Sequence, residues 1–201
     1  GTHVGEADWP KIQKRFHPQD YLDLQVWFNL AWIDPWLRSQ DPRLAKLEAK
    51  GHHFTEEEKR YVLDQHIALI AKVIPAYRAA LERGQIELTS SPYYHPIMPL
   101  LCDIRSAHIA LPHLPLPPTT FRHPDDARWH LQQALARHRA AFGKLPNGLW
   151  PPEGSVSEEL VTIALESNIR WIATDEEILW RTLKTSRSAS LLYRPHLLRR
   201  K

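Results

Sequence analysis

Apolar and polar positions along this chain alternate between short hydrophobic runs and stretches of helical period. Residues 25–32, from Gln25 through Trp27 and Phe28 to Trp32, are almost continuously apolar and end near Asp34-Pro35, which predicts a buried strand. Thr55 with Glu58 makes a capping box, after which Val62, Ile67, Ile70, Ile74 and Tyr77 recur at helical spacing. A helix is expected from there to about Arg83, kinked or split at Pro75 and stopped by Gly84. Gln85 to Thr89 alternates, with Ile86 and Leu88 on one face, and predicts a second strand. Ser90 to Pro96 is expected as a loop and Ile97 to about Leu111 as a helix, followed by a linker rich in proline from Pro112 to Pro118. Pro124 opens an alanine-rich helix that ends at Gly143. Leu145 to Trp150 and Ile169 to Thr174 are two further short strands. Between them Ser155 and Glu158 cap a helix to about Ser167, and Thr174 with Glu177 caps a last one to about Leu183.

The order β-α-β-α-α-β-α-β-α predicts an α/β class with parallel strands and outer helices. Four strands cannot close an eight-stranded barrel, so the chain is either a small open α/β domain or part of a barrel. Its 201 residues suffice for a single domain, 1–201, with its own core.

Composition narrows the class further. A hydrophobic content of 43% with 24% charged residues is that of a soluble globular protein. No apolar run reaches membrane-spanning length and no signal peptide is visible, so no membrane partner is expected. The chain does not begin with Met, and its start is taken as an interior cut. The single cysteine, Cys102, excludes an internal disulfide framework and a thiolate metal cluster, and points to a reducing, cytoplasmic compartment. The net charge of +3 comes from scattered basic residues, apart from the tail Arg199-Arg200-Lys201, which is taken as the fragment of a helix or strand. Such a weak excess does not call for nucleic acid. Eight tryptophans and seventeen prolines fit loops folded over a cleft and a well-packed, loop-rich domain equally. Oligomeric state is not legible.

The stretch most suggestive of chemistry is Trp150-Pro151-Pro152-Glu153-Gly154-Ser155. Two prolines hold the chain extended and stiff, and Gly154 lets it turn sharply before the next helix. A carboxylate fixed between a strand end and a helix start suits a group that attacks or stabilises a carbon centre. On spacing alone Glu153 fits equally a first-turn acid favoured by the helix dipole, and the flanking Trp150 and double proline tilt the balance towards a site. Trp150 fits a ring on which a sugar stacks, and fits a core residue as well.

In parallel α/β folds the chemistry gathers at the carboxyl ends of strands. Glu87, Glu153 and Asp175 are expected there, with Tyr94 and His95 in the loop after the second strand. Paired carboxylates at that end fit glycoside hydrolysis. Each also has a plain structural role: a helix-terminal acid for Asp175, an ion pair for Glu87, a satisfied loop histidine for His95. The twelve histidines show no metal spacing, and His130 and His138 fall on a helix expected to be exposed, so no metal site is assigned. No glycine-rich phosphate loop occurs, and no cofactor is expected. Ser155 and Ser157 are explained by capping rather than as nucleophiles.

Taken together, Gly84-Gln85-Ile86-Glu87-Leu88 with Pro92-Tyr93-Tyr94-His95-Pro96-Ile97, and Trp150-Pro151-Pro152-Glu153-Gly154-Ser155-Val156, resemble the second and third signature regions of glycoside hydrolase family 57. Ile169 to Glu176 is similar to its next strand. The resemblance runs from about Gln25 onward. It implies an incomplete seven-stranded (β/α) barrel acting on α-glucans by a retaining mechanism, with Glu153 as nucleophile. It implies that Glu87, Tyr94, His95, Trp150 and Asp175 line the sugar site. The family's His-Gln-Pro signature is absent, since His17-Pro18-Gln19 has another order, and nothing matches its acid/base aspartate. The chain is therefore expected to be an internal fragment of a catalytic domain, with little hydrolysis on its own. Two rivals are a non-catalytic carbohydrate-binding domain on the same fold and a metal-dependent polysaccharide deacetylase, which needs an aspartate and two histidines on a metal.

Overall fold

A computed structural model describes Trp9 and residues 13–198; the tail Arg199-Arg200-Lys201 lies outside the described residues. The chain divides into two compact units, Gly1–Pro75 and Ala76–Lys201.

In the first unit the stretch expected as a strand is instead the second half of a helix, α1, Pro18–Ala31. Pro18 pre-sets the first helical φ, and the Asp20 carboxylate accepts a hydrogen bond from His17 N at 2.7 Å. Val26 and Leu30, four apart, are buried, while Trp27, Phe28 and Trp32 between and beyond them stay exposed. A continuous apolar run cannot separate strand from helix by itself; here the buried pair sets the helical phase. Asp34 and Asp41 then cap two short helices, α2 (Pro35–Gln40) and α3 (Pro42–Lys50), by accepting from backbone N–H groups of the first turn. The Asp23 carboxylate of α1 accepts from His53 N, Phe54 N and Gln19 Nε2, each at 2.8 Å, and so fastens the chain after α3 onto α1. Val26, Leu30, Ile33, Leu44, Leu47, Phe54 and Val62 close the core of this unit.

Helix α4, Glu56–Glu82, begins at the expected capping box: Thr55 N donates to Glu58 Oε2 at 2.8 Å and Glu58 N to Thr55 Oγ1 at 3.2 Å. Pro75 lies inside it and does not end it. Of the residues at helical spacing only Val62 is buried; Ile67, Ile70, Ile74 and Tyr77 are exposed.

The second unit is a helix-rich α/β arrangement around a small parallel sheet. The helix expected over 97–111 is broken into α5 (Met98–Cys102), a 3-10 turn (Ile104–Ser106) and α6 (Ala107–Ala110). The break falls at Asp103, whose extended backbone frees its carboxylate to accept from Arg105 N. Helix α7, Pro124–Phe142, has the expected bounds and stops at Gly143 with a φ of +74°. Strand β1 (Gly148–Leu149) pairs in parallel with β2 (Trp171–Ile172), in the register Gly148↔Trp171 and Leu149↔Ile172. The expected strand at 85–89 does not form; pairing there is reduced to a single parallel bridge, Ser90 to Leu149.

Helix α8 (Glu158–Glu166) starts later than the sequence suggests. Its cap is Ser157, which accepts from Leu160 N, because residues 152–154 are already taken up in a 3-10 turn. Helix α9 (Glu176–Leu183) is capped by Asp175 rather than Thr174, and a short α10 follows (Ala189–Leu192). The core of this unit joins Met98 and Cys102 of α5, Ala127 and Leu131 of α7, Leu149 of β1 and Leu160, Ile163 and Ala164 of α8. His138, expected on an exposed face, is buried and bonds Lys144 O through Nδ1 at 2.8 Å.

Candidate active site

Three loops leave the sheet at the carboxyl end of its parallel strands, and they carry most of the residues singled out in the sequence. After Leu149, Trp150 N donates to Ser90 O at 2.8 Å and Ser91 Oγ donates to Trp150 O at 2.9 Å. Trp150 is thus fixed through its backbone while its indole stays 56% exposed. Pro151 and Pro152 follow, both buried. They anchor Glu153, which is exposed and holds a left-handed backbone at φ 54°, ψ 21°. A non-glycine residue in that region carries a steric cost that persists only where its surroundings enforce it. The Glu153 carboxylate makes no hydrogen bond or ion pair with another described residue.

Gly154 locks this loop to the next one. Its φ is +64°, and a Cβ added there would lie 3.3 Å from Asp175 N. Thr174 Oγ1 donates to Gly154 O at 2.6 Å across the same gap. The Glu153 loop and the Thr174-Asp175 turn are therefore in direct contact. Asp175 itself is exposed, and one of its oxygens is engaged as the α9 cap, accepting from Glu177 N at 2.8 Å.

The third loop follows Ser90. Tyr94 and His95 are exposed there, His95 with a φ of +56° and its N–H donating to Pro92 O at 2.9 Å. Tyr93 N donates to His130 O at 3.2 Å and Tyr94 N reaches His130 Nδ1 at 3.4 Å, so α7 supports this loop from beneath. Trp129 of α7 faces both tyrosines, with ring centroids 5.9 Å from Tyr93 and 6.3 Å from Tyr94. Nothing in the sequence pattern marked Trp129, since a lone tryptophan in an alanine-rich helix is ordinarily core.

Glu87 stands apart from this group. From the sequence it belongs near the end of a strand, but the bridge falls at Ser90, which puts Glu87 ahead of it on the amino-terminal side of the sheet. There it accepts from Trp171 Nε1 at 3.1 Å. The Trp171 ring lies over Gly148, where a Cβ would come within 2.3 Å of it. The sequence signal for that contact was the glycine at the head of β1.

Among the described residues no group of three or more His, Cys, Asp or Glu side chains is placed to hold a metal ion, and no helix is long and apolar enough to cross a membrane. An open depression of about 600 Å³, lined among others by Leu145, Asn147, Leu165 and Arg170, sits ahead of β1 and β2, away from the Glu153 loop.

No curated protein matches the chain. Among solved structures it is similar to the alpha-amylase AmyC from Thermotoga maritima, with a TM-score of 0.47 and 12% identity over 81% of this chain. The match spans only 28% of that amylase's length. The profile of glycosyl hydrolase family 57 fits residues 10–200, which is nearly the whole sequence, and the chain belongs to that family.

Proposed function

We propose that this chain carries the nucleophile of a retaining glycoside hydrolase or transglycosidase acting on α-glucans, as part of an incomplete (β/α)7-type barrel. The observation that carries the reading is the backbone of Glu153. An exposed carboxylate is held in a left-handed conformation between two buried prolines and a glycine packed against Asp175. Strain of that kind clusters where a side chain must be aimed.

In the proposed reaction a Glu153 oxygen attacks the anomeric carbon as the glycosidic C–O bond breaks. The departing oxygen takes a proton from a general acid, and water or an acceptor hydroxyl then displaces the enzyme carboxylate. Trp150 offers a ring for stacking, while Tyr94, His95 and Asp175 line the same end of the sheet. Glu87 is left out of this group and holds Trp171. Retention requires a second carboxyl roughly 5–5.5 Å from the nucleophile. No segment of the 201 residues resembles the family's acid/base aspartate, so we expect little hydrolysis from this chain alone. The deacetylase alternative has no observation in its favour. A carbohydrate-binding role without catalysis would use the same exposed residues and differs in its test.

That test is trapping with a 2-fluoro glucosyl reagent on the full-length protein, followed by peptide mapping. A covalent label on Glu153, absent in Glu153→Gln, is the expected result. A label on another residue removes the assignment, and binding of α-glucan without any label favours the non-catalytic role.

A further inference from the structure

We propose that Tyr93, Tyr94 and Trp129 form an aromatic platform that receives a pyranose ring of an α-glucan, as a subsite on the loop beside Trp150. The three rings touch one another, and Tyr93 and Tyr94 stack tilted at 4.6 Å between centroids. All three are exposed, Tyr94 at 72% and Trp129 at 44%. They are not a flexible fringe. The His130 backbone and ring hold the N–H groups of Tyr93 and Tyr94, and the turn is closed by His95 N on Pro92 O. Large aromatic side chains ordered at the surface with little to cover them mark a binding surface.

The chemistry selects a sugar. A pyranose has a flat face of C–H groups ringed by hydroxyls. Rings with an apolar body and a polar tip match both parts: the tyrosine hydroxyls and the Trp129 indole N–H can meet hydroxyls while the ring faces take the C–H surface. The platform continues the proposed site. Its loop departs from Ser90, whose neighbour Ser91 bonds Trp150 O, so the two aromatic surfaces leave adjacent positions of the sheet. The proposal rests on the reading of the chain as glucan-acting, and it adds a residue, Trp129 of α7, that lies outside the signature segments.

The experiment is calorimetric titration of the whole chain with maltoheptaose, for wild type, Tyr94→Ala, Trp129→Ala and Trp129→Phe, with circular dichroism confirming that each variant is folded. Each alanine variant is expected to weaken binding about tenfold, as loss of an aromatic anchor does, while W129F retains most of the affinity. Wild-type affinity in both alanine variants, or no binding by wild type, overturns the platform. A covalent label on Glu153 together with unchanged affinity in W129A leaves the nucleophile standing and removes the platform. A tenfold loss in W129A without any label on Glu153 supports the platform and removes the nucleophile.

Discussion

At the scale of single residues, the glycine after the proposed nucleophile is constrained both by its backbone angle and by its neighbour. Gly154 has a φ of +64° and its Cα faces the Asp175 backbone at a distance that leaves a Cβ only 3.3 Å from Asp175 N. Gly154→Ala is therefore expected to destabilise the chain by about 1–2 kcal/mol, measurable as a shift in denaturation midpoint. It should also displace Glu153 from its backbone conformation. Asp103 gives a pH-dependent counterpart. Hydrogen bonds from the Arg105 side chain and backbone, with Arg122 nearby, hold its carboxyl down at about 2. An unfolded aspartate titrates near ~3.9. The folded state thus gains from ionised Asp103 above that value, and the gain disappears as pH falls from about 4 to 2. The stability difference between wild type and Asp103→Asn should shrink over that window in denaturant titrations. Gly154, Pro151 and Pro152 announce their roles in the sequence, because the proline ring fixes φ and the missing Cβ of glycine admits a positive φ, both by covalent structure alone. Glu87 does not, because the side of the sheet it occupies depends on where the neighbouring strand pairs.

At the scale of elements, helix starts that rest on local bonds are readable and those that compete are not. Thr55 and Glu58 form their box three residues apart, and Lys50, which also donates to the Glu58 carboxylate, does not displace Thr55 N from it. Ser155 and Thr174 look equally good as caps, yet the 3-10 turn at Pro152–Gly154 moves the first helix start to Ser157 and Asp175 claims the second. Ser157→Ala should accordingly cost about 1 kcal/mol, with Ser155→Ala close to neutral, as judged by thermal or denaturant unfolding. Helix α1 shows the same limit from the other side. Its apolar run satisfies strand and helix patterns alike, and only the burial of Val26 and Leu30 against α3 and Phe54 decides. The two observed strands fall inside the runs Leu145 to Trp150 and Ile169 to Thr174 read from the sequence, but are shorter than those runs; Gly148 is informative only once Trp171 is seen lying across it.

At the scale of the whole molecule, two separate apolar cores hold the two units. Cys102 reports on one of them. It is fully buried, and burial pushes its thiol up to about 11, far from a reactive thiolate at neutral pH. Labelling by a thiol reagent should be slow in the native chain. Leu131→Ala removes a large side chain from the same core, at a cost of about 2–5 kcal/mol, and should accelerate labelling of Cys102. Leu30→Ala carries a similar cost in the other core and should leave the labelling rate near that of wild type.

The amino-acid order alone determined the stiff Trp150-Pro-Pro-Glu-Gly segment and the bounds of the Pro124–Phe142 helix, since both rest on covalent constraints and local bonds, and it carried the family resemblance through the motifs themselves. Tertiary structure decided that residues 25–31 are helical, that Glu87 lies ahead of the Ser90 bridge against Trp171, and that Trp129 joins Tyr93 and Tyr94 at the surface. Each of those depends on contacts between residues distant in sequence, whose energies no local pattern contains.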